Sequence, residues 1–368
     1  MRKIKIAEII KVLEKLAPKS YQEDYDNSGL IVGNMNATIT GVLVSLDCLE
    51  SVVDEAIKMK CNLIVSHHPI LFKSLKRLSG QHYVERVIVK AIKNDIALYA
   101  LHTNLDNVYK GVNAKICEKL GLLNRKILKP KKGTLSKLEF FAPGEDSEKI
   151  LNALFEAGAG NIGNYKNCSF SVDGIGSFTP NEIAKPHIGK ANLEEIVNEK
   201  RIEVIFPRHL ESSIMKALNK AHPYEEVAYA IQHVENQNNE VGSGMIGDLN
   251  KPMDGKSFLK MLKKKMNLSM IKHTAISDRP IKKVAICGGA GSFLISDAIK
   301  SDADALISSD FKYHEYFEAD GRLLIADIGH YESEIFTTEL ITDYLKENFS
   351  TFAINFSHIV TNPVSYLA

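Results

Sequence analysis

Twice along this chain, short runs of apolar and β-branched residues alternate with stretches of helical periodicity, a rhythm that leaves few folds open. From Gly41 to Thr103 the order is "GVLVSLD", "LESVVDEAIKMK", "NLIVSHH", "YVERVIVKAIKND" and "IALYALHT". From Ile281 onward it is "KKVAICGG", a helix from about Ser292, "DALISSD", a helix around Tyr313 to Glu318, "LLIADIGH", a helix from about Glu332, and "TFAINFS". Fully apolar runs joined by short helical crossovers predict parallel strands covered on both faces. The expectation is α/β: two similar three-layer lobes with parallel or mixed sheets.

Between the two passages the rhythm changes. "KLEFFAP", "SEKILNALFEAGAG", "CSFSVDGIGSF", "RIEVIFP", "LESSIMKALNKA" and "EEVAYAIQHV" read as β-α-β-β-α-β, the order of a ferredoxin-like α+β module. The flanks "LKPKKGT" and "ENQNNEVGSG" are polar and glycine-containing, as linkers are. The expected domains are therefore 1–130, an inserted 131–237, and 238–368.

At 368 residues the chain exceeds one typical core, in keeping with several domains. A formal net charge of +1 gives no basic excess of the kind that marks nucleic-acid binding. Five scattered cysteines (Cys48, Cys61, Cys117, Cys168, Cys287) contain no C-x-x-C pair and suit a reducing compartment. The N-terminal "MRKIKIAEIIKVLEKLAP" is an amphipathic helix broken by Lys and Glu, and no apolar run reaches the length of a membrane span. A cytoplasmic protein is expected.

In open α/β sheets, ligands collect beyond the carboxyl ends of the strands. Those positions hold His67 and His68 after "NLIVS", His102, Asn104 and Asp106 after "IALYA", Asp310 and His314 after "ALISS", and His330 and Glu334 after "LLIAD". Imidazole nitrogen with carboxylate oxygen is the ligand set of hydrolytic zinc, iron and manganese centres. His330 and Glu334 are four apart at a predicted helix start, so both side chains can reach one point. His102 and Asp106 share that spacing in "HTNLD", which reads equally as loop or helix. Taken singly, each residue is as well explained as a core histidine, a turn former or a solvated helix face. Taken together, strand ends in both lobes carry such groups while the apolar runs carry almost none, and facing lobes could pool ligands for two metal ions. "CGGAGS" (Cys287 to Ser292) reads equally as a phosphate cradle and as a tight turn needing glycine. "HPYEEVAY" (His222 to Tyr229) is more simply a helix stop and strand entry than a metal site.

The motifs "SHHPILF", "HTNLDNVYKGVN", "GGAGS" and "DIGHYESE", in this order and with these separations, resemble the Nif-three-like dinuclear metal-centre family, the GTP cyclohydrolase 1 type 2 homologues. "YDNSGLIVG" (Tyr25 to Gly33) is similar to that family's "WDNxGLxxG", with Tyr in place of Trp. The insert, with "GAGNIGNY", "GIGSFTP" and "HPYEEVAY", resembles the additional PII/CutA-like domain of longer members. The resemblance covers essentially the whole chain. It implies a toroidal homohexamer with a two-metal cleft, the ligands falling on His67, His68, Asp106, His330 and Glu334, and Glu334 bridging the ions. His102 matches a nearby histidine, and His102 or His314 would move protons.

The resemblance further implies two divalent ions per subunit, drawn from iron, zinc, manganese or nickel. A bridging hydroxide would attack the imidazole carbon of guanine in GTP and formate would leave. The same centre could instead serve a phosphoesterase or amidohydrolase. In a third reading the protein is a non-catalytic metal-binding regulator with a ligand-sensing insert. The expected partner is a small molecule, with a nucleotide among the candidates; no membrane and no nucleic acid are indicated.

Overall fold

The computed structural model describes residues 3–367. Its strands, in chain order, are β1 (Gly29–Val32), β2 (Gly41–Ser45), β3 (Leu63–Ser66), β4 (Ala97–Ala100), β5 (Leu123–Lys131), β6 (Leu135–Pro143), β7 (Phe170–Phe178) and β8 (Glu195–Pro207), then β9 (Tyr229–Val234), β10 (Asn238–Met253), β11 (Lys272–His273), β12 (Ile281–Ala290), β13 (Ala305–Ser309), β14 (Leu324–Asp327) and β15 (Ala353–Phe356). They form three sheets, so the fold is mixed α/β, as the rhythm of the sequence predicts. Two compact units result: one joins residues up to Pro130 with those from Glu240 onward, and the other is Lys131–Asn239.

In the first unit, one sheet has the order β1-β4-β3-β2-β15 and the other β11-β14-β13-β12-β10-β5. β4, β3, β2 and β15 run parallel, as do β14, β13 and β12, while β1, β11 and β10 join antiparallel. The apolar runs are continuous because both faces of each sheet are covered. Val42, Val44, Leu63, Val65 and Tyr99 point to one core while Leu43, Ile64 and Leu98 point to another. The second sheet divides likewise: Val284, Ile286, Ile307 and Ala326 on one side, Ala285, Leu306 and Ile325 on the other.

The inner faces of both sheets share a single core with four helices between them. Ile6–Leu16 contributes Ile9 and Leu13, Val112–Leu120 contributes Ile116, Gly255–Lys265 contributes Phe258 and Leu262, and Thr337–Asn348 contributes Ile341 and Leu345. Amphipathic stripes of 3.6-residue period are what such a middle layer requires. This shared layer brings the carboxyl ends of β3, β4 and β14 to one place.

The inserted unit has the sheet order β7-β8-β6-β9, antiparallel throughout, with helices Ser147–Glu156 and Glu211–Ala221 packed on Leu138, Phe140, Val204 and Phe206. The element order is the β-α-β-β-α-β read from the sequence.

Two segments differ from the sequence reading. "LKPKKGT" and "ENQNNEVGSG", expected as linkers, lie largely within β5 and β10, which pair with each other. The glycines there serve close approach between strands: a Cβ at Gly242 would sit 2.2 Å from the Lys129 carbonyl oxygen. "TFAINFS", last in the second passage, pairs in parallel with β2 of the first sheet. Sequence order suggests neighbours, but the free edge of β2 supplies the partner.

Because Leu13 is fully buried in the layer shared by both sheets, Leu13→Ala should cost about 2–5 kcal/mol. The exposed Lys11→Ala on the same helix should stay within about 0.5 kcal/mol of wild type. Urea midpoints with far-UV circular dichroism check both.

Candidate metal centre

β3 ends at Ser66, and the next two residues are His67, fully buried, and His68. β4 ends at Ala100, and after His102 the chain makes one helical turn, Thr103–Asp106, which turns Asp106 toward the histidines. β14 ends at Asp327, Gly329 adopts φ +89°, and the short helix His330–Glu334 begins. Its i, i+4 spacing brings His330 Nε2 within 3.1 Å of Glu334 Oε2.

These side chains converge on Glu334. Its Oε2 lies 3.0 Å from His68 Nε2, and its Oε1 lies 3.7 Å from His67 Nε2, which is 3.6 Å from Asp106 Oδ1. His68 Nε2 and His330 Nε2 are 3.3 Å apart. Three groups could each hold an ion: His68, His330 and Glu334; His67, Asp106 and Glu334; and His67, His68 and His102. Glu334 thus offers one oxygen to one set and its second oxygen to another.

The chemistry of the set fits a cation. His67 Nε2, Asp106 Oδ1 and Glu334 Oε2 are buried without a hydrogen-bond partner, and each such atom costs about 1–3 kcal/mol unless something fills the space between them. The close approaches of His68 and His330 to Glu334 Oε2 do not have hydrogen-bond geometry. The number and kind of ions are not fixed by these atoms.

The comparisons with known proteins follow the geometry. The family model described as Duf34/NIF3 (NGG1p interacting factor 3) matches residues 4–363. The chain belongs to the Duf34/NIF3 family. A Bacillus subtilis protein named GTP cyclohydrolase 1 type 2 homolog is 40% identical over 98% of both chains. A Staphylococcus epidermidis protein of the same name is 35% identical over 99% of this chain and 100% of its own. Among solved structures, a Bacillus cereus protein related to NIF3 matches all of both chains at TM-score 0.88 and 35% identity. A Staphylococcus aureus protein matches over the full length of both chains at TM-score 0.78 and 28% identity.

In this family member each histidine of the cluster has its other nitrogen engaged. His67 Nδ1 meets the Leu101 carbonyl at 2.8 Å, His68 Nδ1 meets Asp47 at 2.7 Å, His102 Nδ1 meets Asp26 at 2.7 Å and His330 Nδ1 meets Asp310 at 2.5 Å. A proton held on Nδ1 leaves the Nε2 lone pair to face the cluster, the usual arrangement around metal-binding imidazoles. Asp47 and Asp26 in this role were not among the sequence candidates. Asp47 ends "GVLVSLD", so the strand-end rule applied to β2 would have found it. Asp26 lies in "YDNSGL" and also accepts from the Thr103 hydroxyl and amide.

Burial and neighbouring charge set the protonation of the cluster. Burial lowers His67. For His68 and His330 burial works in the same direction, but Asp47 with Glu334 carries His68 up to about 10, and Glu334 with Asp310 carries His330 up to about 9. Burial and then the Glu334 charge hold Asp106 well above the usual carboxylate range. Burial opposes ionisation of Glu334, yet His67, His330 and His68 hold it well below that range.

The remaining sequence candidates fall elsewhere. Asn104 is buried and donates to the Ala17 carbonyl at 2.7 Å, a structural contact. His314 is exposed on the 3₁₀ segment Tyr313–Ala319, its ring against Tyr313 and Phe317, and none of the possible ion-holding groups among the described residues includes it. The "CGGAGS" amides are partly spent: Gly288 donates to Asn113 Oδ1 and Gly289 to Ser333 Oγ, both at 2.9 Å. The glycines instead give room to the cluster, since a Cβ at Gly289, where φ is +65°, would lie 2.4 Å from Glu334 Oε1. His222 Nε2 donates to the Phe141 carbonyl at 2.8 Å, at the helix stop expected from "HPYEEVAY".

Gly289→Ala should therefore push the Glu334 carboxylate aside and weaken ion binding by about tenfold or more, while far-UV circular dichroism stays close to wild type. Elemental analysis after dialysis against graded chelator checks it.

Proposed function

We propose that the protein is a metal-dependent hydrolase of the GTP cyclohydrolase type, with two divalent ions per chain held by His67, His68, Asp106, His330 and Glu334. The observation that carries this reading is the Glu334 carboxylate, buried with its two oxygens turned to two different sets of imidazole and carboxylate groups. The name borne by relatives of 35–40% identity supports GTP as substrate. In this reading Glu334 would be shared by both ions, with His67, itself beside Asp106, near its Oε1 and His68 and His330 near its Oε2.

Divalent cations in such a centre acidify water and so supply a nucleophile at neutral pH. The chain's own part is to hold and orient. The Leu101 carbonyl, Asp47 and Asp310 fix the imidazoles of His67, His68 and His330 through Nδ1. Asp26 does the same for His102, whose ring packs edge-on to His67 and His68 at 5.4 Å. In this reading His102 would carry a proton between the reacting purine and solvent. Water would add at C8 of guanine, the imidazole ring would open, and a second hydrolysis would release formate. His314, whose ring lies against Tyr313 and Phe317, belongs to none of the possible ion-holding groups among the described residues and receives no role here.

The ions would be iron, zinc, manganese or nickel, all of which accept nitrogen and oxygen ligands of this kind. The family resemblance further supports a toroidal homohexamer and a cytoplasmic location. No helix among the described residues is long and apolar enough to cross a membrane.

Protein purified without added metal should carry near two ions per chain, and Glu334→Ala near none, by elemental analysis. Metal-loaded wild type should release formate from GTP, and Glu334→Ala should do so about 100-fold more slowly or worse. A wild type that cleaves a phosphoester panel but yields no formate would replace the cyclohydrolase reading with a phosphoesterase. Turnover of neither would leave a metal-binding regulator.

A further inference from the structure

After β15 the chain does not end at the sheet edge but crosses the mouth of the cluster. Ser357 and the amide of His358 anchor it to Glu55. Thr361, 7% exposed, donates to Asp47 Oδ2, the second oxygen of the carboxylate that holds His68. Asn362 Nδ2 donates to Glu332 Oε1 at 3.1 Å, two residues from His330. The tail is thus tied to the groups that carry ligands from both sheets.

Between tail and cluster lies a cavity of about 320 Å³. His68 and His330 form part of its wall, Tyr331 and Asp310 another part, and Pro363, Val364 and Tyr366 of the tail close it. We infer that this cavity is the substrate subsite for a neutral nitrogen heterocycle of nucleobase size, and that the C-terminal tail is its outer wall. The inference rests on the reading of the adjoining cluster as the reaction centre.

Size and charge give the class. Ligand pockets span about 300–1,000 Å³, so this one takes a ring system and not a whole nucleoside triphosphate. Its lining carries the carboxylates Asp47, Asp310, Asp327 and Glu332 together with Lys272, which is paired to Asp327 at 2.7 Å, and the imidazoles of His68 and His330, which are turned to Asp47 and Asp310. Carboxylates in such walls accept hydrogen bonds from ring N–H and exocyclic amino groups, and the volume leaves no room for a triphosphate beside the ring. Tyr331 and Tyr366 offer flat surfaces for a ring. A substrate with a triphosphate would place its heterocycle here and its phosphates outside.

The test is binding to the metal-loaded full chain, followed by calorimetry with guanosine and with inorganic tripolyphosphate presaturated with the same metal ion, the metal content of the protein being checked after each titration. Val364→Trp fills the cavity from the tail side and Tyr366→Ala removes one wall; both residues are at least 41% exposed, so the fold should be kept. Guanosine should bind wild type, tripolyphosphate should not displace it, and each variant should weaken guanosine about tenfold or more with unchanged metal content and Tm. Guanosine that fails to bind, binds the variants as wild type, or is displaced by tripolyphosphate would overturn the inference. Formate release from GTP is a separate readout, so failure of the cyclohydrolase reading is distinguishable from failure of the subsite.

Discussion

The cluster turns on one buried carboxylate, Glu334, set among His67, His68 and His330. A carboxylate taken out of water costs several kcal/mol or about that order unless positive charge and hydrogen bonds surround it. The architecture supplies the imidazoles, while Glu334 Oε2 is left without a hydrogen-bond partner. The helical turn His330–Glu334 delivers the acid and one imidazole together, and the end of β3 delivers two more from the other sheet. Neither sheet alone could neutralise the group, so the shared helical layer that aligns the two sheets is also what makes the buried charge tolerable.

The same constraint explains the outer partners. An imidazole free to rotate would expose Nδ1 or Nε2 at random, and the charge balance around Glu334 would be lost. Leu101, Asp47 and Asp310 remove that freedom, each from a different element. When no ion is bound, protons on His68 and His330 provide the compensating charge, because Asp47, Asp310 and Glu334 favour the imidazolium forms. Ion and protons therefore compete for the same imidazole nitrogens, so ion binding releases protons.

The parts of this that were legible in the sequence are those with a local cause. Strands covered on both faces read as unbroken apolar runs, and the abrupt stop of "NLIVS" before His67 marks a carboxyl end. His330 and Glu334 announce a common face by spacing alone. What was not legible depends on contacts between distant segments. Asp47 and His68 are 21 residues apart and Asp26 and His102 are 76 apart, so their pairing appears only when strands are in register. β10 reads as a linker because Asn and Gly depress strand propensity, yet Gly242 and Gly244 are what permit close packing against β5 and its neighbours.

The return of the C terminus to the first sheet has a consequence for the centre. β15 pairs with β2, whose far end carries Asp47, so the residues that follow β15 necessarily leave the sheet beside that carboxylate. Thr361 then reaches Asp47, and the next residues reach Glu332 on the other sheet. The crossover that looks topologically odd in the sequence is thus the simplest way for one chain end to touch both halves of a cluster built from two sheets. The tail is bonded to Asp47, which holds His68, and to Glu332, which shares the short helix of His330, and an element bonded to both limits how far the two can move apart.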